Sequence, residues 1–412
     1  MKTQIFTNIE LIANVRESTG ILRGRELSKM PCIENGYMII EDDIIADVGT
    51  MEDFRFAENK TVEVDNGTIV LPAWCDSHTH LVYAGNRESE FVDKIRGLSY
   101  AEIAANGGGI LHSADKLNNT SEDELFVQAW KRLEEVSKMG TGAIEIKSGY
   151  GLTLEGELKM LRVIKRLKAK SNLAIKATFL GAHAYPLLYK NNHSDYIDLL
   201  VNEMLPIIAS ENLADYIDVF CEEGFFSAAE MKTVCDAGAK FGLKPKLHVN
   251  QLNSIGGIET GINADALSLD HLETLDEKEI EMLGNFNGAS TLLPTAAFFL
   301  RMPYQPARKL IDANAAVTLA SDYNPGSSPS GNMNFVVSLS CIQMKMLPEE
   351  AINAATFNGA CAMEIQQEYG SISVGKKANL IFTKPVTSLA YLPYSFGSNL
   401  VNRVMIKGEF IS

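Results

Sequence analysis

The chain has 412 residues, 46% hydrophobic and 22% charged, a balance that fits a folded globular protein and excludes disorder, collagen-like repeats and a disulfide-stapled miniature scaffold. At about 150 residues per domain this length predicts two domains, one of them large. With 37 Lys and Arg against 52 Asp and Glu the net charge is −15, and no basic run offers a phosphate-neutralising groove, so nucleic acid is not an expected partner.

Residues 1–16 mix polar and apolar positions without the uninterrupted apolar core of a secretory signal, and a cytoplasmic location is expected. Residues 36–40 and 44–49 read as β segments around the acidic turn Glu41-Asp42-Asp43, a hairpin. Apolar strand-like runs then alternate with amphipathic helical ones. The strands fall at 68–75, 142–146, 174–180, 216–221, 245–249, 266–270, 290–293 and 316–321. Helices between them include 121–139 and 227–241, opened by the capping-box patterns Ser121-x-x-Glu124 and Ser227-x-x-Glu230. The longest apolar stretch, 289–300, is broken by Pro294 and falls short of the ~20 residues a membrane span needs. Residues 370–375, 378–382 and 401–406 are β-like again.

Eight successive βα units predict an α/β fold with a closed (β/α)8 TIM barrel. The expected division is a barrel domain over 66–369 and a small β-sandwich domain built from 1–65 with 370–412. The six cysteines, Cys32, Cys75, Cys221, Cys235, Cys341 and Cys361, form no Cys-x-x-Cys pair and read as free thiols, mostly buried.

Such barrels carry their chemistry at the carboxyl ends of the strands. At or just past those ends lie His78 and His80, Lys147 and Tyr150, His183, Glu222 and Glu223, His248, His271, Thr295 and Asp322, which include five of the seven histidines. In His78-Thr79-His80 an extended backbone turns both imidazoles to one side. Alone that pair could simply line a turn. With His248, His271 and Asp322 it offers imidazole and carboxylate donors of the kind that suit zinc or iron rather than magnesium or calcium. An ion so held can keep a position for water and lower its pKa toward neutrality, which predicts hydrolysis.

The segments 76–87 (DSHTHLVYAGNR), 107–110 (GGGI), 145–151 (EIKSGYG), 181–183 (GAH) and 321–327 (SDYNPGS) together resemble the amidohydrolase superfamily and, within it, the imidazolonepropionase family. The Lys147-Ser148-Gly149-Tyr150-Gly151 run and the 321–327 segment are specific to the narrower family. The resemblance implies hydrolytic opening of the 4-imidazolone-5-propanoate ring to N-formimidoyl-L-glutamate in histidine degradation. It implies one zinc or iron ion on His78, His80, His248 and Asp322, and substrate contacts from Arg87, Tyr150, His183, Gln251, Asn324, Gly326 and Ser327. A homodimer is also expected from it.

These assignments suit the substrate. Arg87 offers a fork that matches the propionate, and Tyr150 and His183 can hydrogen-bond while presenting an aromatic face. Asp322 is expected to carry the proton from the attacking water to the leaving ring nitrogen, and His271 to polarise the carbonyl or stabilise the oxyanion. Related deaminases carry His-x-x-Glu after the fifth strand. Here the run is His248-Val249-Asn250-Gln251, and an amide cannot shuttle protons, which makes Gln251 a substrate contact. Asn250 stands where an acidic residue is usual, with an open consequence for ligand orientation. Lys147 is expected outside the metal's ligands, with an ion pair to Glu145 as its structural alternative.

The alternative reading is another metal-dependent amidohydrolase or aminohydrolase acting on a small heterocycle. It shares the metal set but gives no reason for Arg87. A catalytically silent barrel serving as a scaffold would bind metal without turnover. His112 and His193 read as surface residues, Glu222 and Glu223 as solvated or supporting, Met333, Met344 and Met346 as core, and Gly107 to Gly109 as a lid or loop hinge.

Overall fold

The structure, a computed structural model, describes residues 2–17, 20–55, 61–63, 66–98, 102 and 108–411. Five strands open the chain: β1 (Thr3–Ala13), β2 (Cys32–Glu41), β3 (Ile44–Thr50), β4 (Thr61–Glu63) and β5 (Ile69–Pro72). Eight follow in the middle: β6 (Trp74–Asp76), β7 (Thr141–Lys147), β8 (Ala174–Ala182), β9 (Tyr216–Cys221), β10 (Lys244–Val249), β11 (Ser268–His271), β12 (Ala289–Leu292) and β13 (Val317–Leu319). Three close it: β14 (Leu380–Thr383), β15 (Val401–Ile406) and β16 (Glu409–Phe410).

Strands β6 to β13 pair in sequence order, all parallel, as the nearly closed barrel that eight βα units predict. The terminal strands form a separate mixed sheet in the order β16-β15-β14-β5-β1-β2-β3, with β4 beside β1. The β2–β3 hairpin is the expected one, with Glu41 opposite Ile44. Although this sheet is one hydrogen-bonded path, it rolls onto itself. Phe410 on β16 reaches Phe6 on β1 with ring centroids 6.0 Å apart, and Phe382 on β14 lies 5.1 Å from Phe6. Ile9, Ile12, Met38, Leu380 and Met405 share that sealed interior, which burial of apolar surface holds shut.

The run expected as one barrel strand, 68–75, is two. β5 pairs with β1 and β14 in the terminal sheet, whereas β6 pairs with β7 in the barrel. Ala73 is the changeover: its N–H donates to Asn379 O (2.9 Å), and the next N–H, of Trp74, donates to Gly140 O (2.9 Å). Both sheets bury the run on both faces, so its hydrophobicity stays continuous and a change of partner leaves no periodic mark.

Between β6 and β13 a side chain closes the barrel. The Asp76 carboxylate accepts the Ser321 N–H (2.9 Å) and the Ser321 hydroxyl (2.5 Å). Just beyond, the Asp322 N–H donates to His78 O (3.0 Å) and the His80 N–H to Tyr323 O (2.9 Å). The seam is therefore made by the two segments that carry His78, His80 and Asp322.

The helix Glu122–Lys138 begins where Ser121 accepts the Glu124 N–H, and Ser227 and Glu230 form a complete capping box on Ala228–Ala239. Cys75, Cys221, Cys235 and Cys361 are buried free thiols, Cys341 is half-buried and Cys32 exposed. Met333, Met344 and Met346 lie in the main core. No helix among the described residues is long and apolar enough to cross a membrane. Replacing Asp76 by Ala removes two hydrogen bonds to a buried carboxylate and is expected to cost about 3 kcal/mol in urea unfolding; an unchanged midpoint would contradict the role given to the seam.

Candidate active site

Alternate residues of a strand share a face, and in this barrel the inward face is charged. β7 contributes Glu145 and Lys147, β9 Asp218, β10 Lys246 and His248, and β11 Ser268 and Asp270, all buried. Lys147 Nζ lies 2.8 Å from Glu145 Oε1, 2.8 Å from Asp218 Oδ2 and 3.7 Å from Asp270 Oδ2. Lys246 Nζ lies 3.1 Å from Glu145 Oε2 and donates to Ser268 Oγ (2.8 Å). Burial alone would discharge Lys147, but the surrounding carboxylates outweigh it and hold its pKa above the ordinary lysine value. Glu145 is thus one of three partners for Lys147.

The same carboxylates orient the imidazoles. Asp218 accepts the His248 ring Nδ1–H (2.7 Å) and backbone N–H (3.0 Å), and Asp270 accepts the His78 Nδ1–H (2.6 Å). An ionised carboxylate only accepts, so Nδ1 carries the proton in both rings and each Nε2 presents a lone pair to the barrel mouth. Burial drives the pKa values of His78, His80 and His248 well below the usual histidine value, which keeps these rings neutral.

These donors fit a bound cation. His78 Nε2 is buried without a hydrogen-bond partner. His248 Nε2 stands 3.3 Å from His80 Nε2, and Asp322 Oδ1 lies 3.5 Å from His80 Nε2 and 3.7 Å from His78 Nε2. The edge of a tetrahedron with ~2.1 Å metal–nitrogen bonds is ~3.4 Å. The His78 and His248 lone pairs and the Asp322 oxygen, gathered at that spacing away from solvent, are well placed to share one positive charge.

His271 groups with His78 and His248 in space but has a different electrostatic setting. Burial pulls its pKa down, and the Glu273 carboxylate, 3.3 Å from Nδ1, overrides that and raises it. Glu273 also accepts from Gln305 Nε2 (2.9 Å). Burial pushes the Asp322 carboxyl up to about 6, and the Ser327 hydroxyl donates to its Oδ2 (3.3 Å). His271 and Asp322 leave the strand conformation with φ of 87° and 52°, a strained backbone that surrounding bonds must hold.

A cavity of about 730 Å³ brings together Arg87, Tyr150, His183, Gln251, Asn324, Gly326 and Ser327, with Phe220, Phe225 and Phe299 as apolar walls; it adjoins the donors through His183, whose ring stacks 5.3 Å from that of His80. His183 donates through Nδ1 to Gly149 O (3.0 Å), and burial lowers its pKa to about 4. Burial likewise raises that of Tyr150. Asn324 braces its own loop, with Oδ1 accepting the N–H groups of Gly326 and Ser327 (2.8 Å each). Arg87 donates through Nε to both oxygens of Glu90 (3.0 Å each), and Glu90 also accepts the Gly109 N–H (3.0 Å).

Several supporting residues resolve the remaining expectations. Glu222 is buried and accepts the N–H groups of Leu252 (2.8 Å) and Asn253 (3.2 Å), so it props the turn that carries Gln251, while Glu223 is exposed. Asn250 donates to Thr274 O (2.9 Å) and Glu279 Oε1 (2.8 Å); it ties down the loop after β10 and leaves ligand orientation to Asp218. Thr295 donates to Ser321 O (2.7 Å). His112 is exposed, and His193, half-exposed, stacks on Tyr185 at 3.6 Å. Gly107 lies outside the described residues, and Gly109, at φ 86°, opens the helix Ile110–Asn118. Sequence reasoning missed Asp218, Asp270, Glu273 and Glu90. For the first two a signal existed: a lone carboxylate inside an otherwise apolar strand needs a buried partner.

Residues 225–411 match the model of the amidohydrolase family. Over its length the chain is 56% identical to the imidazolonepropionase of Flavobacterium johnsoniae, with 99% of each chain covered. It is 54% identical to that of Christiangramia forsetii, covering 99% of this chain and 100% of the other, and 39% identical to that of Alkaliphilus oremlandii, covering 98% and 96%. Among solved structures, Escherichia coli guanine deaminase superposes with a TM-score of 0.71 at 14% identity, covering 100% of this chain and 99% of that one. The guanine deaminase of C. acetobutylicum gives 0.70 at 16% identity, covering 100% of both. At such identities the structural likeness shows the fold alone.

Since Asp218 and Asp270 orient ring donors from behind, replacing Asp218 by Ala is expected to weaken metal retention about 10- to 100-fold. Competition with a graded chelator, read as metal content, checks this; retention equal to the unaltered protein would contradict it.

Proposed function

The chain belongs to the imidazolonepropionase family, and on that premise we propose that it hydrolyses 4-imidazolone-5-propanoate to N-formimidoyl-L-glutamate, a step of histidine degradation. It is a metal-dependent amidohydrolase. The observation that carries the reading is a cavity with Arg87, Tyr150 and His183 in its wall, the rings of His183 and Tyr150 lying 5.3 and 5.9 Å from that of His80, which belongs to the cluster of neutral imidazoles and Asp322. The cluster suits hydrolysis and Arg87 suits a substrate with a carboxylate tail.

His78, His80, His248 and Asp322 would hold the ion, and their nitrogen and oxygen donors favour zinc or iron. Bound there, the ion would supply Lewis acidity toward the ring carbonyl and make water acidic enough to attack near neutral pH. Asp322 Oδ2 takes a proton from the attacking water and later delivers it to the leaving ring nitrogen; a carboxyl pushed up to about 6 by burial is poised for both transfers. His271, whose pKa the Glu273 carboxylate raises, donates toward the oxygen that gains charge. Arg87 pairs with the propionate, and Tyr150 and His183 hydrogen-bond the ring. Gln251 contributes an amide, which can orient the ring but cannot ferry protons, and this disfavours deamination. Asn324, Gly326 and Ser327 close the other side of the cavity, and the phenylalanine walls limit the water that reaches it.

Following the loss of imidazolone absorbance before chelation, after it and after zinc or iron return tests the reading. Activity is expected to vanish and come back. Asp322→Asn is expected to lower kcat at least about a hundredfold. Arg87→Ala is expected to raise KM for the propionate substrate by about 10- to 100-fold. Full activity in Arg87→Ala would favour an aminohydrolase of a neutral heterocycle instead.

A further inference from the structure

The protein carries a net charge of −15, yet among the described residues no Asp or Glu lines the 730 Å³ cavity, while three cations do: Arg87, Lys94 and Arg301. They are not equivalent. The charge of Arg87 is already paired, since its Nε lies 3.0 Å from both Glu90 oxygens and its Nη2 2.9 Å from Oε2. Arg301 is exposed at the outer rim, just past the helix Pro294–Leu300.

Lys94 sits on the helix Glu88–Ile95, about two turns beyond Arg87 and so on the same face. Among the described residues it forms no ion pair. Its Nζ donates to Gly326 O (3.2 Å) and lies 5.7 Å from the centroid of the Phe299 ring. Arg87 approaches the same glycine so closely that a Cβ on Gly326 would fall 2.3 Å from Nη1. Two cations thus flank Gly326 with one carboxylate between them. Burial, and after it the like charge of Arg87, pull the Lys94 pKa down and outweigh the upward pull of Glu90, the one carboxylate the two cations share.

We propose that Lys94 is a specificity-determining residue of this site, supplying the uncompensated positive charge that the substrate carboxylate meets while Arg87, paired with Glu90, sets the direction of its hydrogen bonds. A carboxylate approaching Arg87 and Glu90 alone meets a pair of zero net charge, one member of which repels it. Adding Lys94 makes that end of the cavity net positive and draws an anion inward against the field of an acidic protein. An ammonium has three donors, and the Gly326 carbonyl occupies one, so two remain for the ligand. This role rests on the reading of the site as an imidazolonepropionase and names the group that selects its anionic substrate.

The test compares Lys94→Met and Lys94→Arg with the unaltered holoenzyme, using 4-imidazolone-5-propanoate and its propionamide analogue, the latter as substrate or competitive inhibitor. For the acid, Lys94→Met is expected to raise KM about tenfold with kcat changed by less than about twofold. Affinity for the amide should stay unchanged, the salt dependence of kcat/KM should flatten, and Lys94→Arg should recover most of the loss. An equal rise in KM for acid and amide, or a fall in kcat alone, would overturn the proposal by showing that Lys94 merely props the Gly326 loop. Unchanged kinetics in Lys94→Met beside an active unaltered enzyme would overturn it too and leave the proposed reaction standing. An unaltered, metal-loaded enzyme inactive on the acid would instead remove the reaction and this role together.

Discussion

One ammonium group, Lys147 Nζ, is sealed in the barrel axis within 2.8 Å of Glu145 and Asp218 and 3.7 Å of Asp270. The rest of the site depends on it. Asp218 and Asp270 would be costly to bury as unpaired anions. Held by Lys147, they stay ionised and fix the protons of His248 and His78 on Nδ1, which leaves both Nε2 atoms free as ligands. Removing one member of such a buried network typically costs about 3–5 kcal/mol, so fold stability and ligand geometry are tied together. Lys147 and Lys246 face three carboxylates, Glu145, Asp218 and Asp270, and the excess negative charge beneath neutral imidazoles favours a cation above them.

The barrel seam carries the same economy of parts. Strands β6 and β13 are joined by Asp76 and Ser321 and by backbone bonds from His80 and Asp322. The residues that close the barrel therefore adjoin, or are, the residues that would hold the metal. Positive φ at His271 and Asp322 is tolerable because both are anchored on two sides, His271 by Glu273 and by its strand, Asp322 by Ser327 and by the His78 carbonyl.

That His78, His80, His248, His271 and Asp322 converge, and that Arg87, Tyr150, His183 and Gln251 line one cavity, was legible in the sequence because polar residues at strand ends stand out against apolar strands, and the barrel topology says that such ends converge. The changeover at Ala73 was not legible, since a run buried in two sheets looks like a run buried in one. Asp218 and Asp270 were overlooked for a related reason: reading for strand ends passes over strand interiors, where their partners Lys147 and Lys246 also lie. Glu90 and Lys94 follow Arg87 at helical spacing on Glu88–Ile95, but charges so spaced usually mark a solvated face, and only the cavity shows that this helix is turned toward a site. Glu222 gained its meaning from the Gln251 turn, a contact between loops that no periodicity records.

The most direct test of this account is elemental analysis of active protein joined to anomalous diffraction at the zinc and iron edges. One transition ion per chain, lying among His78, His80, His248 and Asp322, is the expected result. Fully active protein free of such an ion, or an ion bound away from those four side chains, would contradict it.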